Sequence, residues 1–317
     1  MRADGRDRAS SIASNGAAAD FVAPRFPAKS VLAEVNERTG SGLRFVRMAD
    51  SGASGGAAYV EWPDGRPGVL TQPYASVERM RLTAEILETA RSRGLPIPRH
   101  ELVVELADGS AAVVQERLSG APTGYVDVGV IDALVAMNER FADLLVNRRD
   151  VPIPPLNLRP CTPPHPGQEI LRQHSDRTRR ILDRIYEIGA DEPSEMGGDD
   201  LVHVDYARGN ILWDRRYRIS GVVDWNFGVA RGDRRFALVG LRSDLEWGAL
   251  FPPDRSLVAR DAAERLDEIL DEAIEPTTLR RYWAHWTLSK LHGVIPMNSP
   301  DWIELFLSLG ERRLAVV

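Results

Sequence analysis

Apolar and polar residues alternate with a period of two in the first third of the chain. Leu43–Met48, Ala57–Trp62 and Gly68–Thr71 read as strands, and Pro63-Asp64-Gly65 is the turn between the last two. Ser51–Gly56 is a small-residue loop between the first two strands. Ahead of them, Ser30 can cap a short helix reaching Thr39, with Val31, Leu32 and Val35 on one face. After the third strand the period changes. Met80, Ala84, Leu87 and Ala90 recur at helical spacing within Ser76–Arg93. Gly94 ends that helix, and Pro96 and Pro98 block its continuation. Glu101–Leu106 and Ala111–Glu116 are again strand-like, joined by the turn Asp108-Gly109. The pattern predicts a small α+β lobe in which one helix follows the third of five short strands.

Beyond Ser119-Gly120-Ala121-Pro122 the helical period dominates. Ile131, Leu134, Val135, Asn138, Phe141 and Leu145 mark one helix, and Leu171, His174, Thr178, Ile181, Ile185 and Ile188 another. A proline-rich loop, Val151–Pro166, separates them. Further helices are expected over Arg260–Ile274, Thr277–Gly293 and Pro300–Leu314, and short strands over Leu201–Val204, Ile211–Trp213 and Ile219–Val223. The expected organisation is a disordered arm over 1–24, an N-terminal lobe over 25–120 and a larger, mainly helical lobe over 121–317.

Composition narrows the class. With 43% hydrophobic residues the chain can bury a core. Forty basic against 46 acidic residues leave a net charge of −6, which argues against a general nucleic-acid binder. No apolar run approaches the ~20 residues of a membrane span. Met1–Asp20 lacks the apolar stretch of a signal peptide, and Cys161, the single cysteine, cannot form an internal disulfide. A cytoplasmic protein is expected. Lys29 and Lys290 are the only lysines, so chemistry that needs a lysine has two candidates.

The candidate chemistry lies in Leu201–Asp233. Asp205 leaves a strand into a loop, where its carboxylate can stand exposed. Asn210 opens Ile211–Trp213, which can pair with Arg218–Val223 as a hairpin. That register brings Asn210 near Asp224, two oxygen ligands suited to Mg²⁺, with Asp205 beside them to take a proton from a hydroxyl.

His203-x-Asp205, Asn210 and the Asp224-Trp225 pair after the hairpin resemble the catalytic core of the aminoglycoside phosphotransferase and choline kinase-like family. The likeness is greatest to antibiotic kinases such as the hygromycin B and viomycin phosphotransferases. The resemblance implies a protein kinase-like, two-lobed fold. It implies Asp205 as catalytic base, His203 as a structural member of the catalytic loop, Asn210 and Asp224 as Mg²⁺ ligands, and ATP or GTP as donor. It further implies that Ser51, Gly52, Ser54, Gly55 and Gly56 cover the phosphates and that Glu85 sits in the helix of the ion-pairing glutamate. Gln115, Glu116 and Leu118 would lie in the adenine-binding hinge. The implied acceptor is a hydroxyl of a small polar molecule, an antibiotic or a related cationic compound.

Two departures accompany the resemblance. Thr71 stands where the family carries a phosphate-binding cation, and Ala237 stands where it often carries aspartate. Arg79 or Arg81 is a candidate to reach in for the missing cation. The departure at Thr71 leaves open a pseudokinase or ligand-binding relative, and the acceptor could instead be a primary metabolite such as choline, homoserine or a sugar. Glu85 reads equally as a solvated helix residue. Asp254–Glu275, with eight acidic residues and three arginines, reads first as a solvated face and second as an attractant for a cationic substrate. Tyr282, Trp283, Trp286 and Trp302 read as helix–helix core.

Overall fold

The computed structural model of the chain describes residues 27–49, 56–190, 193–250 and 257–315. The arm expected over 1–24 lies outside the described residues. In chain order the elements are α1 (Ala28–Thr39), β1 (Arg44–Met48), β2 (Ala58–Glu61), β3 (Pro67–Thr71), α2 (Val77–Ser92), β4 (His100–Glu105) and β5 (Ala111–Glu116). Then come β6 (Tyr125–Val126), α3 (Val128–Glu139), α4 (Pro166–His174), α5 (Asp176–Gly189), β7 (Asp200–Val202), β8 (Ile211–Trp213) and β9 (Ile219–Val222). The remainder is β10 (Ala230–Gly232), α6 (Arg235–Leu250), β11 (Leu257–Val258), α7 (Arg260–Ala273), α8 (Pro276–Val294) and α9 (Pro300–Leu314). The mixed α+β class agrees with the sequence pattern.

The chain forms two compact units. One joins Val22–Gly124 with His203–Ala230, so the hairpin β8–β9 and the loops flanking it belong with the N-terminal sheet. That sheet is antiparallel in the order β1-β2-β3-β5-β4. The period of two gives it two buried faces. Val60, Leu70, Val104 and Val114 pack with Val31, Leu32 and Val35 of α1. Ala111 and Val113 pack on the opposite face with Val77 and Met80 of α2. Ser76 caps α2 by accepting from the Arg79 N–H at 3.3 Å. The hairpin is tied to this unit by reciprocal bonds between Ala121 and Trp213 (2.8 and 3.2 Å) and by Val222 N–H to Pro96 O at 2.8 Å.

The other unit contains Tyr125–Val202 and Arg231–Val317 and is mainly helical. Tyr282, Trp283, Trp286 and Trp302 are buried in it, as helix–helix core. Acidic α7 buries Ala262, Leu266 and Leu270, while its charged residues pair with arginines, among them Glu264 with Arg260 and Asp267 with Arg242. Among the described residues no helix is long and apolar enough to cross a membrane.

Three elements differ from the periodicity. The helix expected through Leu145 stops at Glu139. Asp143 then takes a left-handed turn (φ 54°), and its N–H donates to Asp200 Oδ1 at 2.9 Å. The helix expected over 171–188 is two, α4 and α5. Ser175 is extended and caps α5 through a reciprocal box with Thr178, whose hydroxyl also donates to Leu171 O at 2.6 Å. Finally, α6 carries no amphipathic stripe because Phe236, Ala237, Leu238, Val239, Leu241 and Leu245 bury it on several sides.

Candidate active site

After β7 the chain leaves as His203–Asn210 and returns through the hairpin to Asp224. His203 is buried, and both ring nitrogens are engaged. Nε2–H donates to Val223 O at 2.9 Å, and Nδ1 accepts the Asp205 N–H at 3.2 Å. The carbonyl partner fixes the tautomer. The Trp225 ring packs on the imidazole at a centroid distance of 4.2 Å. Burial holds the imidazole's pKa below the ordinary histidine value. His203 therefore stays neutral and spans the two strands of the loop as a brace, with no nitrogen left to carry a substrate proton.

Asp205 is half-buried, and Asn210 clamps it. The Asn210 Nδ2 donates to Asp205 O at 2.9 Å and to Asp205 Oδ2 at 3.0 Å. These bonds fix the side-chain amide, turning its oxygen away from Asp205 as a free acceptor. The hairpin register Ile211↔Val222 continues one step further, with Val223 N–H donating to Asn210 O at 2.9 Å. Asn210 and Asp224 therefore meet at the same hairpin end.

Asp224 adopts a left-handed backbone (φ 65°), and its Oδ1 is buried without a hydrogen-bond partner. Burial, and secondly the neighbouring Asp205 carboxylate, push its pKa up to about 7; N–H groups of Asn226 act in the opposite direction. A buried orphan carboxylate oxygen beside a second carboxylate is costly unless a cation neutralises it. The Asp224 carboxylate and the Asn210 amide oxygen are both hard ligands, and the pair fits Mg²⁺.

The other residues singled out from the sequence spread over the same unit. Ser51, Gly52, Ser54 and Gly55 lie outside the described residues, and Gly56 is left-handed (φ 79°) at the entry to β2. Gln115 is buried at the end of β5, its side chain bonded to His100, and Glu116 pairs with Arg91 at 2.8 Å. Leu118 follows and faces the hairpin, where a Cβ on Gly221 would stand 3.0 Å from its Cδ1. Glu85 is exposed on α2, whose buried side carries Met80, Thr83 and Leu87.

At the end of β3, Thr71 is buried and its hydroxyl donates to Asn226 Oδ1 at 3.0 Å. Of the two arginines considered as replacements for the missing cation, Arg81 is exposed. Arg79 turns inward and donates to Val229 O. Lys29 sits over Phe45 and Lys290 over Trp286, so neither occupies the place of Thr71. The pattern of apolar positions gave no signal for Asn226, Thr83 or Arg79 as partners of this loop. A Thr at the end of β3 facing an Asn two residues after Asp224 is the only trace they leave.

Among solved structures, a thermostable variant of the aminoglycoside phosphotransferase APH(4)-Ia, in ternary complex with AMP-PNP and hygromycin B, is similar with a TM-score of 0.62 at 16% identity, over 91% of this chain and 98% of that one. The GDP and kanamycin complex of APH(2")-IIia follows the chain with a TM-score of 0.57 at 15% identity, over 90% and 98%. An aminoglycoside phosphotransferase from Alicyclobacillus acidocaldarius subsp. acidocaldarius DSM 446 does so with a TM-score of 0.55 at 13% identity, over 94% and 95%. At these identities the likeness is one of fold. A search of curated proteins gives no match. The family model described as the phosphotransferase enzyme family matches residues 46–234, a span that holds His203, Asp205, Asn210 and Asp224. By that match, over more than half its length, the chain belongs to the phosphotransferase enzyme family, on the kinase-like fold of the aminoglycoside phosphotransferases.

Proposed function

We propose that this phosphotransferase moves the γ-phosphoryl group of ATP or GTP to a hydroxyl of a small polar acceptor of the antibiotic class, aminoglycosides first. The observation that carries the reading is the Asn210 clamp on Asp205 at the hairpin end that also presents Asp224. Asp205 orients the acceptor hydroxyl and receives its proton as the new O–P bond forms. The bond between the γ-phosphorus and the bridging oxygen breaks, and the nucleoside diphosphate leaves. Asn210 and Asp224 would hold Mg²⁺, which supplies neutralisation of charge on the phosphates. Gln115–Leu118 would line the base, and Ser51–Gly56 would cover the phosphates. His203 braces the loop.

The test is an acceptor panel beginning with hygromycin B and kanamycin, run with each donor on wild type and Asp224→Ala. Phosphorylated product from the wild type, suppressed in the variant, supports the reading. The buried, neutral Thr71 favours a second reading, a binding relative without turnover. That reading predicts no product with any acceptor in the panel, and measurable turnover removes it.

A further inference from the structure

Asp224–Val229 is fastened at both ends to β3 and α2. At one end Thr71 donates to Asn226 Oδ1 at 3.0 Å, and the Ala75 N–H donates to Asn226 O at 3.3 Å. At the other, Val229 N–H donates to Thr83 Oγ1 at 3.1 Å and Arg79 donates to Val229 O. Gly228 lies between them in a left-handed conformation (φ 78°), and a Cβ there would stand 2.8 Å from Arg79 Nε. Asn226 has a second role. Its backbone and side-chain N–H groups both act on the Asp224 carboxylate.

The two ends of the Asn226 amide are not equivalent. If the amide were flipped, its oxygen would face the Asp224 carboxylate, acceptor against acceptor. The carboxylate, which only accepts, selects the opposite orientation with Nδ2 towards it, and the Thr71 hydroxyl, donating to the Oδ1 so presented, holds the amide there. With the Asn226 donors held by one side of the carboxylate, Asp224 Oδ1 stays buried and unpartnered. The left-handed backbone of Asp224 (φ 65°) is strained for a residue with a Cβ and needs such ties to persist.

We propose that Thr71 and Asn226 form a neutral hydrogen-bond relay that aims the Asp224 carboxylate, so that the end of β3 positions the metal ligand through a hydroxyl and an amide where a cation is absent. Both are positioning residues, and Thr83 and Arg79 secure the far end of the loop. The inference rests on the reading of Asp224 as a metal ligand.

The experiment is calorimetric titration with a non-hydrolysable ATP or GTP analogue, with and without Mg²⁺, on the full chain, with thermal unfolding of each variant. Thr71→Val keeps the shape and removes the donor. It weakens the Mg²⁺-dependent part of binding about fivefold, the weight of one neutral hydrogen bond. Thr71→Ser stays within about twofold of wild type on the same reasoning. Asn226→Ala weakens it about 10–30-fold, and Thr71→Val added to it does nothing further, because the relay passes through Asn226. Binding without Mg²⁺ stays within about twofold throughout, since the relay ends on the carboxylate that would hold the metal.

A Thr71→Val protein with a lowered Tm and wild-type Mg²⁺ dependence overturns the relay, as does full additivity in the double variant. Should Asn226→Ala fail to fold, the Val and Ser pair at Thr71 decides alone. Asp224→Ala separates the two levels. If it abolishes the Mg²⁺ dependence and Thr71→Val leaves that dependence at the wild-type level, the relay alone falls. If it leaves the dependence intact, the reading of Asp224 falls and takes the relay with it.

Discussion

Replacing His203 tests whether the catalytic loop is braced by hydrogen bonds or served by a titrating imidazole. The ring is 1% exposed and makes two bonds, one to Val223 O and one from the Asp205 N–H. His203→Phe fills the space and removes both, and leaving each backbone group without a partner costs about 1–3 kcal/mol, so about 2–6 kcal/mol in all. That is a large part of the stability of an ordinary domain, about 5–15 kcal/mol. In His203→Gln the side-chain amide can still donate to Val223 O, and losing the acceptor for the Asp205 N–H costs about 1–3 kcal/mol. The expected order of urea midpoints is His, then Gln, then Phe. Turnover measured where each variant is folded should fall with the same order, because Asp205 loses its anchored backbone. The slope of log kcat against pH should be the same for wild type and Gln. A Phe variant within about 1 kcal/mol of wild type refutes the brace. So does a Gln variant of normal stability that loses one limb of the pH profile, which would make His203 a proton carrier.

Three other perturbations follow from the packing. Gly228→Ala and Gly40→Ala both place a side chain at positive φ, but only Gly228 has Arg79 and Thr83 within 3.2 Å of the new Cβ. Gly40→Ala should cost about 1 kcal/mol by thermal denaturation and Gly228→Ala clearly more, with weaker Mg²⁺-dependent nucleotide binding; equal costs would contradict the contact. Ser175→Ala removes the cap that separates α4 from α5 and should lower stability by about 1 kcal/mol, or Tm by about 2–4 °C; no change would show the helices hold without it. His285 is half-buried against Phe236 and Trp286, donates through Nδ1 to Leu156 O, and has its pKa pushed down to about 4 by the loss of solvent around the ring. Its unfolded value near 6.5 is the higher one, so the unfolded chain takes up the proton first. Stability is complete above pH 6.5 and is lost as pH falls towards 4, by up to about 3 kcal/mol. His285→Asn, which keeps the donor, should flatten this acid limb in urea titrations at successive pH values; an unchanged limb would remove His285 as its source.

The N-terminal sheet was legible because β2 buries alternate residues, β3 and β5 are short apolar runs, and the turns between strands carry Gly, Pro or Asp. The hairpin could be read for the same reason. Its register alone brings Asn210 beside Asp224, and the bond between Val223 and Asn210 is the direct result. By contrast, α6 shows no clear period because Phe236–Val239 are four consecutive apolar residues, all buried, and Arg242 and Ser243 are buried beside them. The break at Ser175 was hidden because Leu171, Thr178 and Ile181 keep a helical spacing across it, and only the cap between Ser175 and Thr178 betrays two helices. The long-range partners of the Asp224 loop were the least legible. Thr71 and Asn226 are 155 residues apart, and Thr83 and Val229 are 146 apart. No local pattern encodes such pairings. The exposure of Glu85 depends in the same way on which side of α2 meets the sheet.

The central claim is that Asp205 serves the transferring hydroxyl while Asn210 and Asp224 serve the metal. Asp205→Ala separates these roles when Mg²⁺–nucleotide affinity and phosphoryl transfer to an accepted aminoglycoside are measured on the same preparation. The expected result is affinity within about threefold of wild type and turnover lower by about 10²–10⁴, the usual worth of a positioned base. Turnover close to wild type, or a loss confined to nucleotide affinity, would contradict it.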